Sequence, residues 1–571
     1  LEAGGRIQVA PNLKIEIHHR FEGKPLALSG QTFTLKSGEK ITVSRLAYLV
    51  SDVRLIKPEG GSVQALAAPV YINPTEHRTG FAIQGVASGD YTSMQLTIGL
   101  EPEANHSDPS QYPAGSALNP RTSGLQWSWQ GGYVFMAIEG QIARNRHGFS
   151  YHIATDRNLM TVAMDRPFHI GDNSAIDLDF DVAKVFSGID PARAGSESTH
   201  SAEGDPLAAA LKNNIEKAFE LAGTHQEAPP ATVVTAPTAV SLPASAHTYR
   251  FPVPATFPQP DLPADNPLSV EGIEAGRRLF TDARLSGNRT QSCASCHHPD
   301  AAFSDAGHRA SKGVDGHRGT RRTIPLFNLA WSAPYTWDGR RSLLRQQALA
   351  PIQNPLEMHA SLATVTRRLQ SDVTYRHLFA STFGDKRVTS ERIGLALEQY
   401  LLTIVSADSK FDRAARGEAT FTDQEKRGLL LFITEYDPAR GKIGADCFHC
   451  HGGSLFSDYR FTNNGLDEVY SDRGRALVTH LDSDAGKFKT PSLRNVAITG
   501  PYMHDGRFRT LEQVIEHYTS GVHRTETLDP NIAKHPDTGM ALTSSDKKAL
   551  VAFLKTLTDS RWVHRPPALT R

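Results

Sequence analysis

Cysteine is scarce, with four residues in a chain of 571. All four, Cys293, Cys296, Cys447 and Cys450, fall into two CxxC pairs, and each pair is followed at once by a histidine, His297 or His451. None is left over for a disulfide framework. Net charge is missing too. The 61 Lys and Arg residues balance 61 Asp and Glu residues, so no electrostatic argument favours a nucleic-acid partner. No stretch approaches the ~20 continuous apolar residues of a membrane span. Leu1–Gly5 does not read as a signal peptide, and an exported chain would already have lost one. Histidine, by contrast, is plentiful at 24 residues. The length is too great for one ordinary core and suggests two to four domains.

Residues ~6–185 read as β structure. Ile15, Ile17, His19 and Phe21 alternate with polar neighbours, and Ile41 to Ile56, Met94 to Leu100, Tyr133 to Ile142, Phe149 to Ile153 and Ile176 to Val182 behave alike. Short strands between Gly, Pro and Asn turns predict an antiparallel sandwich or barrel-like domain. A helix is expected next, with Leu207, Leu211, Ile215, Ala218 and Phe219 on one face. Pro, Ala, Thr and Val then dominate an extended linker. Beyond it the pattern is helical: Ile393, Ala396, Leu397, Tyr400, Leu401 and Ile404 form an apolar stripe. Thr422 with Glu425, and Thr510 with Gln513, have the spacing of capping boxes. The expected layout is therefore a β domain over 6–224, a linker over 225–263, and two mainly α cytochrome c-type haem domains over 264–410 and 411–565.

The helical half repeats itself. Cys293-Ala-Ser-Cys296-His297 is followed by Arg322-Thr-Ile-Pro-Leu-Phe-Asn328 and Pro334-Tyr-Thr-Trp337-Asp-Gly-Arg340. Cys447-Phe-His-Cys450-His451 is followed, in the same order, by Lys489-Thr-Pro-Ser-Leu-Arg-Asn495 and Pro501-Tyr-Met-His504-Asp-Gly-Arg507. CxxCH attaches haem because its two thiols reach the vinyl groups of one porphyrin while the adjacent imidazole ligates iron. The competing reading, one zinc held by four cysteines, does not account for the repeat. Two covalent haem c groups are expected, and with them the periplasm, since c-type haem is normally attached outside the bacterial cytoplasm.

Over residues ~250–565 the chain resembles the bacterial di-haem cytochrome c peroxidase superfamily, which includes MauG and MbnH. Trp337-Asp-Gly-Arg340, Gln347-Ala348, Pro351 to Met358, Thr490-Pro-Ser-Leu-Arg-Asn495 and Tyr502-Met-His-Asp-Gly506 carry the likeness. The resemblance implies that the His297 haem reacts with hydrogen peroxide, with Gln347 and Glu357 in the pocket on its open side. Glu357 is implied as the acid–base group, although a glutamate read from spacing alone is more often an ordinary surface carboxylate. Trp337 is implied as an electron relay between the haems, whereas Trp331 and Trp562 read as core. Tyr518 stands where ordinary peroxidases have a methionine sixth ligand, with His451 as the proximal one. A phenolate there lowers the haem potential and makes Fe(IV) accessible. Met503 lies off that position, in the PYMHDG turn. The family also implies calcium between the haems, bound in part by the carbonyls of Thr499 and Pro501, but Arg322 replaces the usual asparagine. His308 and His317 do not align cleanly with a displaceable distal ligand.

Residues ~8–222 resemble the MbnP family of periplasmic copper-binding proteins, through Ile17-His18-His19-Arg-Phe-Glu-Gly23, Leu46-Ala-Tyr-Leu-Val-Ser51, Trp127-Ser-Trp129-Gln-Gly-Gly-Tyr133, Ile138-Glu-Gly140, Tyr151-His152 and Ser198-Thr-His200-Ser201. That resemblance implies a copper site containing kynurenine made from a tryptophan. Trp127 is the preferred target and Trp129 the alternative, with His19, His152 and His200 as candidate ligands, imidazole being well suited to copper. Each of these histidines also has an ordinary reading as a hydrogen-bonded structural residue. Taken together, the two resemblances imply an enzyme fused to its own substrate. Peroxide would generate a bis-Fe(IV) pair that oxidises the tryptophan at a distance and so creates the copper site. The alternative is a detoxifying peroxidase fed by a small electron-donor protein. Another is a copper carrier whose haems only transfer electrons.

Overall fold

The computed structural model describes residues 13–28, 30–127, 131–227 and 242–564. The chain divides into two compact units, Leu1–Thr235 with Arg524–Pro536, and Ala236–His523 with Asp537–Arg571.

The first unit is β-rich. Its strands are β1 (Leu13–Phe21), β2 (Lys40–Ile56), β3 (Gly80–Ile83), β4 (Ser93–Ile98), β5 (Gln126–Trp127), β6 (Gly132–Ile142), β7 (Gly148–Ala154), β8 (Met160–Met164), β9 (Ser174–Asp181), β10 (Ser198–Thr199) and, after helix α1 (Pro206–Ile215), β11 (Phe219–Gln226). One sheet runs β11–β9–β1, with β3 also paired to β1. The other runs β8–β4–β2–β6–β7–β10, with β5 paired to β6. Both sheets bury side chains in one core. Leu13, Ile15, Ile17, His19 and Phe21 all face inward because side chains alternate along a strand.

Most pairs are antiparallel, as the short hairpin-like spacings predict. Two are parallel, β1 with β9 and β7 with β10. In both cases the chain leaves the pair and returns after a long excursion, so no tight turn dictates the direction. Helix α1 begins on an Asp205 cap, whose side chain accepts from the Leu207 N–H. It stops at Ile215, earlier than the apolar spacing suggests. Phe219 instead opens β11 and stacks on Phe180 with ring centroids 4.2 Å apart. The segment Arg524–Pro536 also belongs to this unit. Gln141 donates from Nε2 to the Leu528 carbonyl at 2.9 Å, and Ser150 donates from Oγ to Asn531 Oδ1 at 2.8 Å.

The second unit holds helices α2 (Val270–Phe280), α3 (Leu344–Gln353), α4 (Ser390–Leu402), α5 (Asp423–Ile433), α6 (Phe448–His451), α7 (Leu511–Ser520) and α8 (Ser544–Lys555), among shorter elements. Its apolar side chains gather in two cores. In the first, α2 crosses α4; in the second, α5 crosses α8. Each crossing needs a glycine. A Cβ on Gly276 would lie 2.0 Å from the Ala396 carbonyl oxygen, and one on Gly428 would lie 2.0 Å from that of Ala549. The Thr422/Glu425 and Thr510/Gln513 capping boxes both close at the starts of α5 and α7.

The duplication is also visible in backbone geometry. Asn328 and Asn495 are both left-handed, at φ 55° and 58°, and Ala333–Pro334 and Gly500–Pro501 are both cis. Thr336 and Met503 follow at φ 75° and 71°. The Tyr335 N–H then bonds the Arg341 carbonyl at 2.6 Å, and the Tyr502 N–H bonds that of Phe508 at 2.7 Å. Among the described residues, no helix is long and apolar enough to cross a membrane. Part of the expected linker, residues 228–241, lies outside the described residues, as does Trp129.

Candidate active site

Each CxxCH histidine is held by the loop that follows it. His297 Nδ1 lies 2.9 Å from the Phe303 carbonyl oxygen, and His451 Nδ1 lies 3.2 Å from that of Phe456. A carbonyl only accepts, so each Nδ1 carries the proton and each Nε2 keeps its lone pair. Burial brings both imidazoles down to about 4, which keeps them neutral as an iron ligand must be. Burial pushes the Cys293 and Cys447 thiols up to about 12. Cys293 packs against the first core and Cys447 against the second. This arrangement does not resemble four thiolates around one zinc.

A cavity of about 1600 Å³ opens beside Cys293, Cys296 and His297. That exceeds the ~300–1,000 Å³ of an ordinary small-molecule pocket and suits a large cofactor. Gln347, on α3, and Glu357, in the turn after it, both line this cavity. Glu357 is exposed towards the cavity, yet nearby protein desolvates its carboxyl and raises its pKa. Its hydrogen bond from Asn354 Nδ2, at 2.6 Å, opposes that shift without cancelling it. Trp337 lines the same cavity and is buried. Its indole N–H donates to the Arg322 carbonyl at 2.9 Å, and its own carbonyl accepts from the Lys489 N–H at 2.7 Å. Trp337 thus joins the first module to the second. Trp331 and Trp562 are buried in the first core. His308 is at the cavity margin, 2.8 Å from Asp305, while His317 is not among the lining residues.

Tyr518 sits on the last turn of α7 and packs against the same core as Cys447. Asn464 reaches both Tyr518 and Met503 from one nitrogen. Its Nδ2 lies 3.2 Å from Tyr518 Oη and 3.4 Å from Met503 Sδ. Asn464 carries no motif and was not legible in the sequence.

The β unit brings together three of the residues singled out there. Trp127 stacks against His200 with centroids 5.5 Å apart, and makes a T-shaped contact with His152 at 5.7 Å between centroids. The two imidazoles are themselves 4.9 Å apart, and a nitrogen of each lies within 4.8 Å of the other. Pairing explains the placement: β5 puts Trp127 beside Gly132, β7 carries His152, and β10 lies along β7 at Tyr151 and Thr199. Ser201 pins the His200 turn in place by donating to the His152 carbonyl and accepting from the Ala154 N–H.

Glu139 is a further member of this site. It is buried, with Oε1 2.9 Å from His152 Nε2 and 2.6 Å from Arg45 Nη1. A carboxylate so placed fixes the tautomer with the proton on Nε2 and leaves Nδ1 as the donor atom. The Ile138-Glu-Gly140 run pointed to this strand without assigning Glu139 a role. Trp127 also lines a cavity of about 360 Å³, where His106 bridges Asp156 and the Gly131 carbonyl. His19 stands apart from the cluster. It lies 3.0 Å from the Tyr48 hydroxyl and edge-on to Phe180, and burial lowers its pKa to about 3.

The family described as di-haem cytochrome c peroxidase matches residues 270–420, and the MbnP family matches 10–201. The methylamine utilization protein MauG of Methylophilus methylotrophus is 36% identical over 317 residues, spanning 55% of this chain and 91% of that protein. The chain belongs to the MauG-type di-haem cytochrome c peroxidase family. Its N-terminal domain is MbnP-like. The cytochrome c551 peroxidase of Nitrosomonas europaea is 31% identical over 320 residues, covering 55% of this chain and 88% of that one. A solved structure of a MauG-like protein associated with microbial copper homeostasis is 34% identical, with a TM-score of 0.50, covering 56% of this chain and 98% of that one. As a family member the protein is an oxidoreductase of the di-haem peroxidase type, with two sites for covalent haem c.

The residues present fit haem at both CxxCH sequences by tautomer and burial, and at the first also by the cavity beside it. His152 and His200 carry imidazole nitrogens, a donor type that suits copper, whereas the Trp127 indole N–H has no free lone pair for a metal. Calcium fits less well. Thr499 precedes the cis Gly500–Pro501 peptide and Pro501 is its second residue, so the carbonyls of both stand at this turn. At the third position Arg322 offers five N–H donors and no acceptor, whereas calcium takes oxygen ligands.

Proposed function

We propose that this MauG-type enzyme uses hydrogen peroxide to convert Trp127 of its own MbnP-like domain to kynurenine, so creating a copper site with His152 and His200. The observation that carries this reading is the Trp127–His152–His200 cluster, in which the candidate target already lies against both candidate ligands. The net reaction balances. Two molecules of peroxide deliver two oxygen atoms across the indole C2–C3 bond and become two waters, and hydrolysis of the resulting formyl group releases formate.

When bound, the haem pair would supply the redox chemistry that couples peroxide to oxidation of the tryptophan. The protein's own residues do the rest. Glu357, its pKa raised by desolvation, takes the proton from the inner peroxide oxygen and returns it to the outer one as the O–O bond breaks. Gln347 orients the peroxide by hydrogen bonding. His297 and His451, neutral and with free Nε2 lone pairs, would hold the iron of each haem. Tyr518 would offer the haem of the second module an oxygen donor, which favours high oxidation states. Trp337, held at its N–H by Arg322 and at its carbonyl by Lys489, is the electron relay between modules. Glu139 orients His152 for copper. The reaction belongs in the periplasm, where c-type haem is attached.

The test is peptide mass spectrometry across Leu125–Tyr133 on the haem-loaded protein, before and after peroxide. Kynurenine at Trp127 supports the proposal, and kynurenine at Trp129 moves the target by two residues. An unmodified peptide in both samples overturns it and leaves a peroxidase fed by a small electron-donor protein.

A further inference from the structure

Arg321 and Arg322 are adjacent, and both line the large cavity of the second unit. Their surroundings differ sharply. Arg321 forks onto Asp472, with contacts of 2.6 and 2.8 Å, and also reaches Asp338 at 2.6 Å. Arg322 is only 7% exposed, and its Nε and Nη2 have no hydrogen-bond partner among the described residues. A buried guanidinium always carries its charge and so needs an anion.

Among the described residues none is supplied. Of the carboxylates lining the cavity, Asp472 is taken by Arg321 and Asp505 by Arg507 and Arg309, while Glu357 accepts from Asn354. Asp305 is near enough to be felt by Arg322, but its oxygens serve His308 and Ser311. The missing anion is therefore a ligand. Cys293, Cys296 and His297 line this same cavity, and the porphyrin that such a motif anchors carries carboxylates of its own.

We infer that Arg322 binds a haem carboxylate through Nε and Nη2, and that its fixed charge replaces the divalent cation otherwise expected between the modules, so that this protein holds no calcium there. The geometry suits a fixed cation at that junction. The Arg322 N–H donates to the His504 carbonyl of the second module at 2.7 Å, and its carbonyl accepts from the Trp337 indole at 2.9 Å. The backbone is thus held from both modules while the side chain remains free for a planar, bidentate partner. Burial lowers the guanidinium pKa only to about 10, so it is charged throughout the neutral range. A calcium ion beside it would meet like charge and lack an oxygen ligand.

The inference rests on the di-haem reading of the cavity, and one digest separates the two. Iron and calcium are measured together by mass spectrometry on haem-loaded protein dialysed with and without EGTA. The expected result is two irons per chain, one for each CxxCH, with calcium far below stoichiometric and a visible spectrum that EGTA leaves unchanged. Arg322→Asn should gain about one calcium per chain and a spectrum sensitive to the chelator. Arg322→Gln should lower the reduction potential of one haem, since a positive charge near the porphyrin carboxylates is lost. Stoichiometric calcium in the wild type, with iron at two, overturns this inference alone; iron well below two overturns the di-haem reading with it. A calcium-free Arg322→Asn variant with a wild-type spectrum, or an unshifted potential in Arg322→Gln, overturns the role of Arg322.

Discussion

Trp127 lies on His200, ring centroids 5.5 Å apart and planes inclined by 29°. This contact joins two segments more than seventy residues apart in sequence. It makes the first prediction specific to Trp127. Trp127→Phe should abolish the peroxide-dependent kynurenine peptide while both haems and the peroxide reaction persist. Optical spectra check the haems, and peptide mass spectrometry checks the modification. A kynurenine-containing digest from this variant would send the assignment to Trp129.

Copper binding should follow the cluster. His200→Ala should still allow Trp127 to be oxidised but should remove most of the copper affinity. Glu139→Gln should weaken copper by roughly 10- to 100-fold, the usual cost of losing a carboxylate behind a metal-bound histidine. Titration with a competing chelator measures both. Equal affinity in Glu139→Gln and wild type would return Glu139 to a purely structural role with Arg45.

His19→Gln should leave copper affinity unchanged and alter acid stability instead. Burial lowers the His19 pKa from 6.5 to about 3, so the folded state binds its proton less readily than the unfolded state. The corresponding stability is present above pH 6.5 and is lost as pH falls from there towards about 3. The variant should show a shallower loss of stability across that window in urea titrations. Its neutral-pH cost should be about 1 kcal/mol, for the lost bond to Tyr48.

Glu357→Gln should slow the reaction with peroxide by on the order of 10²–10⁴-fold with haem content intact. The wild-type rate should rise with pH through a midpoint above the ordinary carboxylate value, because desolvation raises the pKa and the working form is the anion. That limb should vanish in the variant. Stopped-flow mixing across pH decides it, and a retained limb would assign the titration to another group.

Tyr518→Met should still bind two haems but should lose the near-infrared band that follows peroxide addition, and the potential of the second haem should rise. Asn464 reaches both Tyr518 and Met503. The double variant Tyr518→Phe with Met503→Leu therefore serves as a control in which neither side chain can ligate. A wild-type near-infrared band in Tyr518→Met would exclude the phenol as ligand.

The local chemistry was legible in the sequence. CxxCH names its own cofactor because thiols and imidazole are consecutive. The strands were legible because alternation has a fixed period of two, and the capping boxes because their bonds span three residues. The duplication was legible as repeated text, and its cis prolines and left-handed asparagines follow that text. Tertiary structure decided what distant segments do to one another. It placed Trp127, His152 and His200 together through the pairing of β5 with β6 and of β10 with β7, and it set His19 apart in the core. It revealed Glu139 behind His152 and Asn464 between Tyr518 and Met503. It also showed that Arg321 has its carboxylates while Arg322, among the described residues, has none. Neighbouring arginines read alike in a sequence. A charge finds or lacks its partner only when residues far along the chain have been folded around it, because electrostatic pairing depends on distance and burial.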